Sequence, residues 1–86
     1  MPVVSEFAGI EICLYFDDHM PPHFHAKYNG LEALVEIENS CVIKGSLPSN
    51  KLKLVLAWSE IHKQELKDNW AMAKNMQLPQ KIEPLN

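Results

Sequence analysis

His23-Phe24-His25-Ala26-Lys27-Tyr28-Asn29-Gly30-Leu31-Glu32-Ala33-Leu34-Val35-Glu36 is a β-hairpin written out in sequence. Asn-Gly is the dipeptide best suited to a two-residue turn of type I′, because both central residues must adopt positive φ. A two-residue turn also fixes the register. Tyr28 then faces Leu31, Lys27 faces Glu32, Ala26 faces Ala33, His25 faces Leu34, Phe24 faces Val35 and His23 faces Glu36. One face carries Phe24, Ala26, Tyr28, Leu31, Ala33, Val35 and Ile37, a coherent core face. The other carries His23, His25, Lys27, Glu32, Leu34 and Glu36. A slip of one residue would mix the two sets, so the pattern and the turn support each other.

Working outward, the hairpin strands are expected over 23–28 and 31–38. Upstream, residues 10–16 read as a strand with Ile10, Ile12, Leu14 and Phe16 on one face. The segment Asp17-Asp18-His19-Met20-Pro21-Pro22 interrupts it, since neither proline can donate to a ladder. Downstream, Cys41-Val42-Ile43-Lys44 forms a short strand over 41–45, ended by Gly45. Residues 48–76 are helix-forming, free of Gly and of Pro beyond Pro48, with Ser46 or Ser49 as candidate N-cap. Leu54, Trp58 and Ile61 form one stripe and Leu66, Trp70 and Ala73 another. The step of five between Ile61 and Leu66 breaks the 3.6 period, which implies two helices or a kink near His62-Lys63. The tail, 77–86, is extended and Pro-punctuated, with Ile82 and Leu85 placed to pack on the body. The expected fold is one α+β domain over residues 1–86: an antiparallel meander of three to four strands against a C-terminal helical segment.

Composition narrows the function. In 86 residues the net charge is -3, and all eight cationic side chains are Lys. With no Arg, no bidentate fork is available for phosphate or guanine, and RNA would be met by Lys point charges. Hydrophobic residues are 47% and charged residues 22%, a globular balance. Cys13 and Cys41 read as small buried hydrophobes. No leader pattern opens the sequence and no apolar run is long enough to span a bilayer, so a cytoplasmic protein with no membrane contact is expected.

Chemistry concentrates in one place. Three of the four histidines, His19, His23 and His25, fall within seven residues. His23 and His25 are two apart on a strand and leave the same face of the pleat. Glu36, opposite His23, can orient an imidazole or accept its proton, and Asp17, Asp18 and Tyr15 lie at the same end. Three readings stay open. His19, His23, His25 and Glu36 could perform acid–base catalysis, for instance on an RNA phosphodiester. His19, His23, His25 and Asp18 could hold a divalent transition metal with an open position. The loop could instead dock a partner protein. Trp58 and Trp70 read as core residues or partner-facing anchors, His62 as a surface or capping residue, and the helix lysines as a solvated face. An exposed strand edge could also pair two copies into a homodimer.

Asp18-His19-Met20-Pro21-Pro22-His23-Phe24-His25-Ala26 resembles the bacterial family catalogued as domain of unknown function 4160. The likeness extends through Met1-Pro2, Phe7 to Gly9, Tyr15 to His19, Gly45-Ser46-Leu47-Pro48, Trp58 to His62, Asn69-Trp70 and Lys81-Ile82-Glu83-Pro84-Leu85. The chain departs from the family's usual pattern in carrying Lys where a basic helix face with Arg is common. The resemblance implies a small cytoplasmic protein encoded beside a second small protein, of the type catalogued as domain of unknown function 2442. It further implies a two-component toxin–antitoxin module in which this chain is the toxin-like effector and the second protein its cognate partner.

Overall fold

The computed structural model describes residues 3–16 and 19–85. Five strands, β1 (Val3–Phe7), β2 (Ile10–Cys13), β3 (His23–Tyr28), β4 (Leu31–Glu36) and β5 (Cys41–Gly45), precede two helices, α1 (Ser49–Ile61) and α2 (Lys63–Lys74). The strands form one antiparallel sheet in the order β1-β2-β3-β4-β5, an α+β meander. Asn29 and Gly30 have φ of 51° and 80°, and all six expected β3–β4 pairs occur, from Tyr28 with Leu31 to His23 with Glu36.

One strand goes beyond the expected three to four. β1 joins β2 through Ala8 and Gly9, both at positive φ. This is the same turn chemistry as Asn-Gly, but Ala carries no preference for it, so the signal is muted in the sequence. β2 ends at Cys13 rather than Phe16, and β4 at Glu36 rather than Glu38. The Ile37 amide still donates to Pro22 O at 3.0 Å, so the proline loop continues the pairing with its carbonyl where its own nitrogens cannot.

The core lies between one sheet face and the helices. Ile10, Ile12, Leu14, Phe24, Ala26, Ala33, Val35 and Ile37 are fully buried from the sheet side. Tyr28 is only partly buried and Leu31 is 46% exposed, because both sit at the open turn end. From the helices come Val55, Trp58, Leu66, Trp70 and Ala73. Trp58 is the hub, fully buried, with its ring centroid 5.5 Å from that of Phe7 and 5.8 Å edge-on from that of Phe24. Both tryptophans are therefore core residues.

The helical segment breaks at His62, as the period change implies. His62 caps the N-terminus of α2 by position, its carbonyl accepting from Leu66 N, while its ring lies 5.4 Å from Trp58 and its Nδ1 meets Glu65. Two expectations are corrected here. Ile61, the last residue of α1, is 65% exposed, and the buried residues of α1 are Val55, Trp58 and Ser59. Neither Ser46 nor Ser49 caps α1. Pro48 holds that position without a side-chain bond, its carbonyl accepting from the amides of Lys51 and Leu52, both at 2.9 Å.

The tail is tied down along its length. The Asn69 amide grips the Gln80 backbone twice, donating to its carbonyl at 2.8 Å and accepting from its N–H at 3.1 Å. Trp58 Nε1 donates to Glu83 O at 2.8 Å, and Ile82 N donates to Val4 O at 2.8 Å. Ile82 is buried and Leu85 packs at the core's rim, as expected. The tail thereby shields part of the β1 edge.

Both cysteines are free, but only Cys13 is buried; burial pushes its thiol pKa up and makes it inert. Cys41 is exposed on β5, contrary to the expectation of two buried thiols, because β5 is an edge strand. No described helix is long and apolar enough to cross a membrane.

Gly45 closes β5 at φ 79°, and a Cβ there would strike the backbone carbonyl oxygen of Glu32. Gly45→Ala is expected to cost about 2–4 kcal/mol, combining left-handed strain with a clash against backbone. Urea denaturation checks this as a fall in midpoint with an unchanged slope.

Candidate functional site

The face of the sheet away from the helices is built in rows by the register. One row reads Glu6, Glu11, Lys27 and Glu32 across β1 to β4, and the next reads Cys13, His25, Leu34 and Lys44 across β2 to β5. A third places His23 beside Glu36 and Glu36 beside Cys41. Glu6, Glu11 and Glu32 thus lie toward the hairpin turns, while His23 and Glu36 lie toward the proline loop.

His23 and His25 are neighbours, with ring centroids 5.2 Å apart. His23 is 7% exposed rather than on an open polar surface, because its ring lies 5.5 Å from the Trp70 ring at the sheet margin. Its Nδ1 is 2.8 Å from Pro21 O. A carbonyl can only accept, so Nδ1 carries the proton and Nε2 is the basic nitrogen of the neutral ring. His25 Nδ1 lies 2.8 Å from Glu32 Oε2, which orients it in the manner of a His–carboxylate pair. The Tyr15 ring meets His25 edge-on at 4.4 Å.

The carboxylate partner differs from the expected one. Glu36 is opposite His23 in the ladder, but its Oε1 takes bonds from Asn39 Nδ2 and from the Cys41 thiol. Glu32 takes the orienting role, on His25, by the diagonal of the same register. That diagonal is readable from sequence, since long side chains reach across it. His19 is exposed and shares a cleft with His23. Asp17 and Asp18 lie outside the described residues. Among the described residues no three His, Cys, Asp or Glu side chains come together to hold a metal ion. His23 and His25 each direct Nδ1 to a separate oxygen, so their rings lie side by side instead of converging on a point.

Two clefts open on this side. The larger, about 680 Å³, lies between the hairpin turns and is lined by Glu6, Glu11, Lys27, Tyr28 and Glu32 among others. The second, about 410 Å³, is at the proline loop, lined by His19, Met20, Pro21, His23, Leu34, Ile43 and Lys44. The second holds the histidines. Its described lining contains imidazoles and an ammonium but no carboxylate, whereas the first sets three carboxylates around one ammonium. Lys27 lies 5.3 Å from the Tyr15 ring centroid, and a hydrogen bond to Tyr15 raises the pKa of its ammonium. Sequence reasoning did not single out Leu34, Ile43, Lys44 or Met20 as site residues, because their meeting depends on how β5 aligns with the loop.

The family model described as "Domain of unknown function (DUF4160)" matches residues 9–71. The chain belongs to the DUF4160 family. The matched span of this DUF4160 protein runs from the β1–β2 turn to the third turn of α2, so it includes every histidine of the site and both core tryptophans. No curated protein and no solved structure matches the chain.

Two measurements check this geometry. Long-range 15N–1H spectra near pH 8 are expected to find neutral His23 as the Nδ1–H tautomer; an Nε2–H form contradicts the bond to Pro21. Tyr15→Phe removes the bond that favours the charged Lys27, so the Lys27 pKa is expected to fall toward the ordinary lysine value, 10.5. A 13Cε titration reads that shift.

Proposed function

We propose that this DUF4160 protein is a toxin-like effector that cleaves single-stranded RNA at the proline-loop cleft. It is held inactive by a small cognate partner of the domain of unknown function 2442 type. The observation that carries the reading is the described lining of that cleft, where His19, His23 and Lys44 face one 410 Å³ space without a carboxylate. RNA cleavage needs those groups. One imidazole takes the proton of the 2′-hydroxyl as its oxygen attacks phosphorus, the P–O5′ bond breaks, and the other imidazole protonates the leaving 5′-oxygen. The products are a 2′,3′-cyclic phosphate and a 5′-hydroxyl. Lys44 offsets charge on the phosphate oxygens. His25, oriented by Glu32 and packed on His23, is a positioning residue.

A second reading, a non-catalytic docking module, is favoured by one feature: Met20 is 72% and Ile43 46% exposed at this cleft.

Incubation of the purified chain with a fluorescent single-stranded RNA separates the two. Cleavage ending in 2′,3′-cyclic phosphate is expected, with His19→Ala and His23→Ala each slowing it about 100-fold or more while circular dichroism is unchanged. Intact RNA with the wild-type chain, or rates unaffected by both substitutions, overturns catalysis.

A further inference from the structure

The β4–β5 ladder contains one residue too many. Leu34 pairs with Lys44 and Val35 pairs with Val42, which leaves Ile43 without a partner, a β-bulge. In a regular strand successive side chains point to opposite faces, so Ile43 and Lys44 could not serve the same cleft. Here both line the space that holds His19 and His23, while Val42 packs against the core. The bulge has re-aimed one side chain, as bulges beside functional sites do. Its far side is fixed as well. Gly45 adopts left-handed φ against the Glu32 backbone, and Ser46 N donates to Glu32 O at 3.2 Å. Lys44 is therefore set between a bulge and a strand end that has no room for a Cβ.

The two residues differ in chemistry. Lys44 brings a cation to the cleft that His19 and His23 also line. Ile43, Leu34 and Met20 bring apolar side chains to the same cleft, with Met20 72% and Ile43 46% exposed. A cation and exposed apolar side chains in one cleft fit an anion that carries a planar ring, and one nucleotide of a single strand has that form.

We propose that the β5 bulge builds a nucleotide subsite, with Lys44 holding the phosphate and Ile43, Leu34 and Met20 receiving the base. It rests on the RNA-cleaving reading above and adds a binding element that places the strand for the two imidazoles.

A 2′-O-methyl RNA pentanucleotide tests it, because the blocked 2′-oxygen prevents cleavage and leaves binding to be read alone. Titration of the 15N-labelled chain is expected to move the amides of Met20, His23, Leu34, Ile43 and Lys44. Lys44→Ala and Lys44→Gln are expected to raise Kd about tenfold and to lower the slope of log Kd against log salt by about 0.7, the loss of one phosphate contact. Ile43→Ser should raise Kd several-fold and leave that slope unchanged. Inorganic phosphate alone should bind at least tenfold more weakly than the pentanucleotide. Shifts confined to other surfaces, an unchanged salt slope in both Lys44 variants, or phosphate binding as tightly as the pentanucleotide would each overturn the subsite. Pentanucleotide binding at the cleft with no cleavage of all-ribose RNA overturns the function and keeps the subsite. Cleavage at the wild-type rate in Lys44→Ala and Ile43→Ser does the reverse.

Discussion

Two residues at positive φ, Asn29 and Gly30, set the register on which the rest of the molecule depends. With a two-residue turn between β3 and β4, each side chain of the hairpin has a determined face. Phe24, Ala26, Ala33 and Val35 go to the helices; His25, Lys27, Glu32 and Leu34 go to the other side. Every neighbouring strand inherits this choice, since β2 pairs against β3 and β5 against β4. A slip of β3 by one residue would turn His23, His25 and Lys27 toward the core.

The helices answer the apolar face with a small number of large groups. Trp58 touches both Phe7 of β1 and Phe24 of β3, and its one polar atom is satisfied by the tail carbonyl of Glu83. A buried indole N–H would cost a hydrogen bond's worth of desolvation if left alone. The tail is therefore a structural part of the core. Asn69 does the same from α2, spending its whole amide on the Gln80 backbone. Helix, sheet and tail are locked through polar contacts placed inside apolar surroundings, where they are most directional.

On the opposite face, the register arranges the polar side chains in rows across the strands. Glutamates cluster around Lys27 near the hairpin turns, while imidazoles and Lys44 gather at the proline loop. The rows follow from the register, which shifts at Ile43 in the β4–β5 ladder and between Val3 and Ser5 in the β1–β2 ladder. It gives the histidines distinct surroundings: His23 against Trp70 and the Pro21 carbonyl, His25 against Tyr15 and Glu32.

The sequence by itself determined the hairpin, its six pairs, the α+β class and the helix break at His62, because each rests on short-range chemistry: turn residues, alternation and a change of period. It also put His23 and His25 side by side, since residues two apart on a strand share a face. It did not reveal β1, whose Ala8-Gly9 turn lacks a compositional signature. The tertiary structure alone decided which carboxylate serves which histidine, that His23 is buried, and that Ile43 and Lys44 meet His19 and His23 in one cleft. Those outcomes depend on diagonal reach, on a bulge and on the packing of Trp70 from a distant helix. The diagonal follows from the register, but the bulge and the packing of Trp70 leave no trace in local sequence, because they arise from distances between segments that the chain brings together only on folding.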